Sequence, residues 1–484
     1  MSDWHLVRRG ACADFIDRLE QRGFSAVSEG QGAVLHGSVA VADVLHPVRI
    51  EVGRRFPFHP PRVVPEASVP RSWHRERDGA MCLYAVGDRD GLPWLDVDDF
   101  LHLVSRWFEQ TMTGWTADSP DLDLERYFDP VDDHRLVVYS DLDPLVNGYI
   151  RLRVKPHIIE VLGPGSVPRR QKHRNRLFGF VLDLGEPAKP PSTWEHITEL
   201  VAEDVIRGIE RAIRERRISM LLLRYARNGT PAVLAVQTTA TRTGILLRSY
   251  PSASAAHDTL RLRAGLTAEV LTAKSVCVIG AGALGSFICD LLVRAGVGHL
   301  TIRDADIVRP GNLIRHLVGG EHVGLNKATA VRGTLQQRPY CGTIITAIPD
   351  PLTEPDNIPG LFAQFDLIID ATADASVSEM LAAGARALTS RFLSACLQDD
   401  GRVVRVDVIP PLNGKTLPDV SEPRQSATAD SVYEGGCGSP VSQTPAFAVT
   451  QAAALTVRHA IGLLTGSPVR PAGEAHTYHG HPGD

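Results

Sequence analysis

The spacing of apolar positions changes character several times along the chain. Around Cys12–Arg22, Phe15, Ile16 and Leu19 fall on one helical face, and Gly23 ends that run. In the stretch PVRIEVG, Val48, Ile50 and Val52 alternate with Arg49 and Glu51, the period of a half-buried strand. Asp99–Met112 returns to helical spacing, with Phe100, Leu103, Val104, Trp107 and Phe108 facing the core. Trp194–Arg216 predicts one charged helix carrying Leu200, Val201, Val205, Ile206, Ile209 and Ile213 inward. LLLRYARNGTPAVLAVQ predicts a hairpin turning at Asn228-Gly229. Near the C-terminal end, AFAVTQAAALTVRHAIGLL predicts an apolar helix.

The run with the clearest chemical meaning is Val276–Gly285, VCVIGAGALG, an apolar strand that breaks into glycines. Gly280, Gly282 and Gly285 have the G-x-G-x-x-G spacing. It suits a sharp strand-to-helix turn, close approach of a phosphate to bare backbone, and tight helix–sheet packing. The following helix, SFICDLLVRAG, turns its amide-rich N-terminus toward the phosphate. A second strand, HLTIRDAD, brings Asp304 and Asp306 to the same edge, and Asp304 stands where an acid bonds a ribose hydroxyl. A nucleotide site follows. Arg315 and Lys327 both reaching it would suit a triphosphate better than a dinucleotide, and Asn312 either orders the Arg315 loop or contacts phosphate. LIIDATAD adds another buried strand ending in Asp370 and Asp374, hard carboxylates able to share Mg²⁺ with phosphate oxygens. Taken singly, each of these charges is more simply a surface salt bridge. Their order along the chain is what favours a site.

Composition narrows the class. A chain of 484 residues exceeds one ordinary core and is divided here into 1–130, 131–265 and 266–484. A net charge of −5 with 22% charged residues argues against a dedicated nucleic-acid binder or a polybasic membrane anchor. No apolar run is expected to reach the ~20 residues of a membrane span, and the start of the chain lacks a signal-peptide core. The seven cysteines are scattered without C-x-x-C, which argues against zinc and disulfide frameworks and suits a reducing cytoplasm. Residues 131–265 are read as a connecting domain, and the basic stretch GPGSVPRRQKHRNR within them as a loop or linker.

In the first 130 residues, FPFHPP packs three prolines into a corner that cannot lie inside a sheet. GAMCLY then sets Cys82 in a loop flanked by the polar run RERDG, where Arg71, Arg75 and Arg77 are near enough in sequence to favour the thiolate. The plainer alternative for Cys82 is a small buried hydrophobe. The order of helix, strands, proline corner, loop cysteine followed by Leu, Trp94 and helix resembles the ubiquitin-conjugating enzyme family over most of residues 10–115. The resemblance implies a conjugating-type α+β domain with Cys82 as acyl carrier. The family's H-P-N segment, whose Asn supports the oxyanion, is missing. His74, eight residues before Cys82, either donates in its place or is an exposed loop histidine.

GAGALGS, RAGVGHLTIRDAD, NLIRH, GLNKA and DATAD, in that order, resemble the ubiquitin-activating superfamily in its ThiF/MoeB-like form. That resemblance implies an α/β fold, a Rossmann-like doubly wound adenylation domain, with ATP as substrate and Mg²⁺ as cofactor. It carries the nucleotide to the glycines and Asp304, the triphosphate to Arg315 and Lys327, and magnesium to Asp374. D-A-T-A-D has one residue more than the family's D-x-T-D, which leaves Asp370 as the alternative. Cys437, in SVYEGGCGSPVSQTP before the last helix, matches the region where relatives carry the acyl-accepting cysteine. An incidental thiol in a glycine loop is the alternative there.

Such a fusion resembles bacterial ubiquitin-like conjugation proteins, including those of antiphage cyclic-oligonucleotide signalling operons. It implies activation of a protein C-terminus, either a ubiquitin-like protein or a nucleotidyltransferase, and transfer from Cys437 to Cys82 and then to a target amine. It also implies a homodimer, with Arg261 or Arg263 crossing between subunits. The competing readings are a sulfur-carrier adenylyltransferase that leaves Cys82 idle, a nucleotide-binding scaffold and, last, a nicotinamide-dependent oxidoreductase.

Overall fold

A computed structural model describes residues 3–29, 32–84, 90–115, 124–166, 176–338, 342–418 and 442–478. The chain forms two compact units, Met1–Ala255 and Ala256–Asp484.

The first unit opens with the helix Asp3–Gln21 and an antiparallel four-stranded meander of Ser25–Glu29, Gly32–Val41, Val44–Val52 and Arg62–Pro65. The alternation read in PVRIEVG is seen in the burial of Val48, Ile50 and Val52. The proline corner leads into Arg62–Pro65 at the edge of the sheet, where no second ladder has to be served. Trp94 fastens that corner, its buried Nε1–H donating to the Pro57 carbonyl at 2.7 Å. The helix Val97–Thr113 begins at Asp96, whose carboxylate accepts from the amides of Asp98 and Asp99 at 3.0 Å each. It buries Phe100, Val104, Trp107 and Phe108 against the meander, in a core shared with Phe15 and Leu19.

A mixed nine-stranded sheet, built between Asp129 and Ser254, occupies the rest of this unit. The predicted hairpin is present as Met220–Arg227 and Thr230–Ala240, with Arg227 opposite Thr230. Asn228 (φ 48°) and Gly229 (φ 72°) both take the left-handed conformation that a two-residue hairpin turn requires. The single helix expected over 194–216 is instead two, Trp194–Thr198 and Glu203–Arg214. Thr193 caps the first, extended backbone at Ala202 starts the second, and Glu203 and Asp204 complement the new N-terminus. Leu200, between them, faces solvent.

The second unit is built on a seven-stranded sheet. Its order is Ile344–Ile348, His299–Arg303, Ser275–Ile279, Leu367–Asp370, Phe392–Gln398, Val403–Ile409 and Gly473–Thr477. The first five strands are parallel, and Val403–Ile409 runs antiparallel to both its neighbours, Phe392–Gln398 and Gly473–Thr477. The order reverses direction between His299–Arg303 and Leu367–Asp370, on either side of Ser275–Ile279. That is the doubly wound arrangement, with its switch point at the end of the central strand. Ile279 pairs in register with both Arg303 and Asp370, so three strands end side by side.

The helix Ala446–Leu464 is long and apolar enough to cross a membrane by length and composition, contrary to the expectation that no run reaches that size. Ala452, Ala453, Val457 and Ala460 of this helix are buried with Ile288 and Leu292 in the unit's main core.

Candidate functional site

The switch point holds the glycine loop. Gly280 has φ +91°, and a Cβ there would meet the Ala371 backbone at 2.8 Å. Gly282, at the start of the helix Ala283–Ala295, has nothing within 4 Å of a Cβ position. The first glycine is therefore held by neighbouring backbone, as is the third, Gly285, against the Gly280 carbonyl, while the second opens on free space beside the helix N-terminus, where an anion is favoured.

Carboxylates and cations surround this loop, each held differently. Asp304 accepts from Ala281 N–H at 2.6 Å and from Asp306 N–H at 2.7 Å. Its bonds thus fix the loop, rather than leaving the whole carboxylate to a ribose. The Lys327 side chain is only 14% exposed, and its ammonium meets the Asp306 carboxylate at 2.9 Å. Asn312 Oδ1 accepts from the Arg309 amide at 3.0 Å, which orders the turn leading to Arg315. Arg315 donates to the carbonyls of Ser442 (2.8 Å) and Thr444 (3.2 Å), just before the helix Ala446–Leu464. Arg315 and Lys327 therefore have different partners here and do not converge on one.

The two aspartates after Leu367–Asp370 also differ. Asp370 is buried and accepts from Thr372 N–H (3.0 Å), Thr372 Oγ (2.7 Å) and Ser378 Oγ (2.5 Å). Asp374 is exposed and caps the helix Ala375–Ala387, with Oδ1 accepting from Ser376 N–H at 2.8 Å and Val377 N–H at 3.4 Å. Among the described residues no group of three or more His, Cys, Asp or Glu side chains could hold a metal by itself. Magnesium bound through one carboxylate and substrate phosphates needs no such group, and Asp374 is the accessible carboxylate.

Two residues absent from the sequence-based site prove central to its shape. His316 is buried, with Nε2 donating to the Ala281 carbonyl at 2.7 Å and Nδ1 accepting from Val318 N–H at 3.3 Å. Burial holds this imidazole below its usual pKa, reinforced by the nearby Lys327 charge. Asn326 caps the helix Lys327–Gln336 and donates Nδ2–H to the carbonyls of Asp304 (2.7 Å) and Asp306 (3.1 Å). Both lie inside motifs recognised for their charges, NLIRH and GLNKA. A periodicity argument gives no sign that the adjoining neutral residues carry the loop.

In the first unit, Cys82 ends a short loop closed by the bridge Arg75–Met81 and turned at Gly79 (φ +92°). The Cys82 amide donates to the His74 carbonyl at 3.0 Å, and Trp107 Nε1 donates to the same oxygen at 2.9 Å. The His74 ring is half-buried, stacks on Trp115 at 3.4 Å between centroids, and lies 3.5 Å from Arg227 Nη2. Of the arginines considered from sequence, Arg75 donates to Gly79 and Val69 carbonyls and Arg77 pairs with Asp129. The guanidinium beside the thiol is instead Arg126, with Nη1 at 3.8 Å from Sγ. An open cleft of about 740 Å³ adjoins it, lined by Pro60, Pro61, Cys82, Tyr84 and Arg126 among others.

Known proteins bear on the second unit. Residues 260–483 match the ThiF family. The chain is 30% identical over 226 residues to the uncharacterized protein y4oA of Sinorhizobium fredii, covering 41% of this chain and 37% of that one. It is 39% identical over 131 residues to the ATP-dependent ubiquitin transferase-like protein Cap2 of Enterobacter hormaechei, covering 26% and 21%. Against the adenylyltransferase and sulfurtransferase MOCS3 of Xenopus laevis it is 32% identical over 102 residues, covering 21% and 22%. The matches thus span well under half the length of these relatives. Among solved structures, Escherichia coli MccB with ATP is 15% identical, with 44% of this chain and 66% of that one covered and a TM-score of 0.33.

Within the ThiF region, Cys277 and Cys289 are buried, and burial pushes the Cys277 thiol up to about 12 and Cys289 higher still. Burial also raises Cys396, to about 11. All three are poor nucleophiles. Cys437 lies outside the described residues, as does Cys341. Ser442, the first described residue of the chain after Cys437, is the one whose carbonyl Arg315 holds.

Proposed function

We propose that the ThiF region binds ATP and adenylates a protein C-terminal carboxylate, and that the acyl group passes to Cys437, to Cys82 and finally to an amine. The observation that carries the first step is the glycine loop at the switch point. Gly282 is open, Asp304 braces the loop, Lys327 pairs with Asp306 just beyond His299–Arg303, and Asp374 follows Leu367–Asp370. The relatives named as ubiquitin transferase-like and as adenylyltransferases support the same reaction class.

The chemistry is balanced as follows. A carboxylate oxygen attacks the α-phosphorus of ATP and pyrophosphate leaves, giving a mixed anhydride whose carbonyl has a good leaving group. Lys327, with Arg315, offsets charge that grows on the phosphates. Magnesium, held through Asp374, would add Lewis-acid stabilisation of those oxygens when bound. The Cys437 thiolate displaces AMP, and the Cys82 thiolate displaces Cys437. An amine then displaces Cys82, loses its proton to solvent, and is left as an amide. Carrying both thiols on one chain raises the effective concentration for the exchange.

The reading of Cys82 draws support from its loop, its cleft and the proline corner beside it. The acyl donor is a ubiquitin-like protein or the C-terminus of a nucleotidyltransferase in an antiphage system, and the working form is a homodimer.

An oxyester trap tests the relay. Cys82→Ser protein is expressed with its genomic neighbours and examined by intact mass. The expected result is an adduct at position 82 that vanishes in the Lys327→Ala, Asp374→Ala and Cys437→Ala backgrounds. An adduct-free protein that still exchanges pyrophosphate into ATP overturns the relay and leaves a sulfur-carrier-type adenylyltransferase.

A further inference from the structure

We propose that Arg126 is a catalytic residue of the Cys82 site, holding the sulfur as thiolate when it attacks and again when it leaves. The proposal deepens the relay reading and rests on it for what Cys82 carries.

Arg126 is placed with unusual care for a surface-class residue. Its side chain is 15% exposed. Nη2 donates to the Trp73 carbonyl at 2.6 Å and to Tyr127 Oη at 2.9 Å, and Tyr127 Oη itself donates to that carbonyl at 2.9 Å. These bonds orient one arm of the guanidinium fork, and the other nitrogen, Nη1, lies 3.8 Å from Cys82 Sγ and 3.6 Å from Glu76 Oε1. The geometry suits a planar, permanently charged group and would not be reproduced by a flexible ammonium.

The remaining charges do not replace it. Arg62 meets both Glu51 and Asp78, and Arg77 is paired with Asp129. Glu76 Oε1 approaches the same Nη1 at 3.6 Å, so that nitrogen faces both the carboxylate and the thiol, and the Glu76 side chain is 37% exposed, where solvent screens its charge. Tyr84 lines the same cleft, and burial, then the Asp99 charge, pushes its phenol up, so it stays neutral. His74 serves Cys82 through its backbone carbonyl, while its ring lies against Trp115 and near Arg227.

A cation beside the sulfur acts twice. In thiol–thioester exchange, the Cys82 sulfur–carbon bond forms as the Cys437 sulfur–carbon bond breaks, and negative charge leaves Cys82 for Cys437. In aminolysis the charge returns to Cys82 as the new carbon–nitrogen bond forms and the amine's proton goes to solvent. Arg126 supplies no proton in either step. It lowers the energy of the thiolate, which is the nucleophile of the first step and the leaving group of the second.

Cysteine reactivity tests this without ATP or acyl donor. Alkylation of Cys82 by iodoacetamide is followed by peptide mass spectrometry on the full chain from neutral to alkaline pH. Wild type is compared with Arg126→Met, Arg126→Lys and Tyr127→Phe. The midpoint of the profile is expected to rise by about one unit in Arg126→Met, the effect of losing an opposite charge within hydrogen-bond range. Arg126→Lys should fall between, and Tyr127→Phe, which keeps the charge but loosens the fork, should rise less than Arg126→Met. Discharge of a preformed Cys82 thioester to free lysine should slow about tenfold in Arg126→Met, the rate equivalent of that shift.

Identical midpoints in all four proteins overturn the proposal. Should Arg126→Met fail to fold, an unmoved midpoint in Tyr127→Phe and Arg126→Lys overturns it equally. Failure of the relay itself would show instead as an empty oxyester trap in Cys82→Ser while the alkylation profiles of wild type and Arg126→Met still differ.

Discussion

A Cβ built on Gly285 would lie 1.8 Å from the carbonyl oxygen of Gly280. The first and third glycines of the motif thus touch each other, and the helix can start where it does only because neither carries a side chain. Gly285→Ala is expected to force the loop open, with an overpacking cost of about 1–3 kcal/mol and loss of ATP-induced stabilisation. Gly282→Ala is the counterpart, because its Cβ meets nothing and its φ of −71° suits alanine. Its melting temperature should match wild type, while the thermal shift with ATP should shrink as the methyl enters the phosphate's space. A full ATP shift in both variants would remove the loop from the nucleotide site.

His316 makes the same loop sensitive to acid. Burial, and next the Lys327 charge, hold its folded pKa below 6.5, and the bond to the Ala281 carbonyl only partly offsets them. Because the folded state prefers the neutral ring, its stabilisation is complete above the unfolded value. It declines as pH falls below about 6.5. Protonation would also end acceptance from Val318 N–H. ATP affinity is therefore expected to weaken on acidification below that point. His316→Gln should flatten that dependence and lower stability by about 1–3 kcal/mol through the unmatched carbonyl or amide. Thermal melts across the mildly acidic range, with and without ATP, measure both.

The doubly wound core was legible because its signals are local. VCVIGAGALG announces strand, turn and helix in ten consecutive residues, and LIIDATAD announces strand and edge. The helices around Phe15 and Phe100 were legible for the same reason. What the sequence hid is non-local. Arg126 is separated from Cys82 by 44 positions, whereas Arg75 and Arg77, near Cys82 in sequence, bond elsewhere. His316 and Asn326 work through backbone carbonyls, and a neutral residue beside a conspicuous charge gives no spacing signal. The break at Leu200–Ala202 was hidden because both helices bury apolar residues in one core, so helical spacing continues across a chain that does not.

Lys327 and Asp306 separate a role in charge from a role in folding. The Lys327 side chain is 14% exposed and that of Asp306 76% exposed, so solvent at the carboxylate screens the pair and its loss should cost under about 1 kcal/mol. Lys327→Ala is accordingly expected to fold and melt nearly as wild type while ATP–pyrophosphate exchange falls by more than about tenfold. Asp306→Asn frees the ammonium and should retain most of the exchange. If Lys327→Ala exchanges normally, the triphosphate charge is met elsewhere and Arg315 becomes the residue to test.

Arg227 ties the nine-stranded sheet to the cysteine loop of the same unit. It is 4% exposed, its guanidinium lies 4.8 Å over the Trp73 ring, and Nη2 is 3.5 Å from His74 Nε2. Trp73 in turn stacks on Tyr225 and receives Arg126 and Tyr127 at its carbonyl. Arg227→Met keeps much of the volume but removes the charge over the indole, a contact worth about 2 kcal/mol when shielded from water. The unit should unfold at lower urea, followed through tryptophan fluorescence. The midpoint of Cys82 alkylation should move less than in Arg126→Met, since Arg227 meets the His74 and Trp73 rings while Arg126 meets the sulfur. Equal shifts in the two variants would mean that the loop's position, rather than the charge on Arg126, sets the reactivity of Cys82.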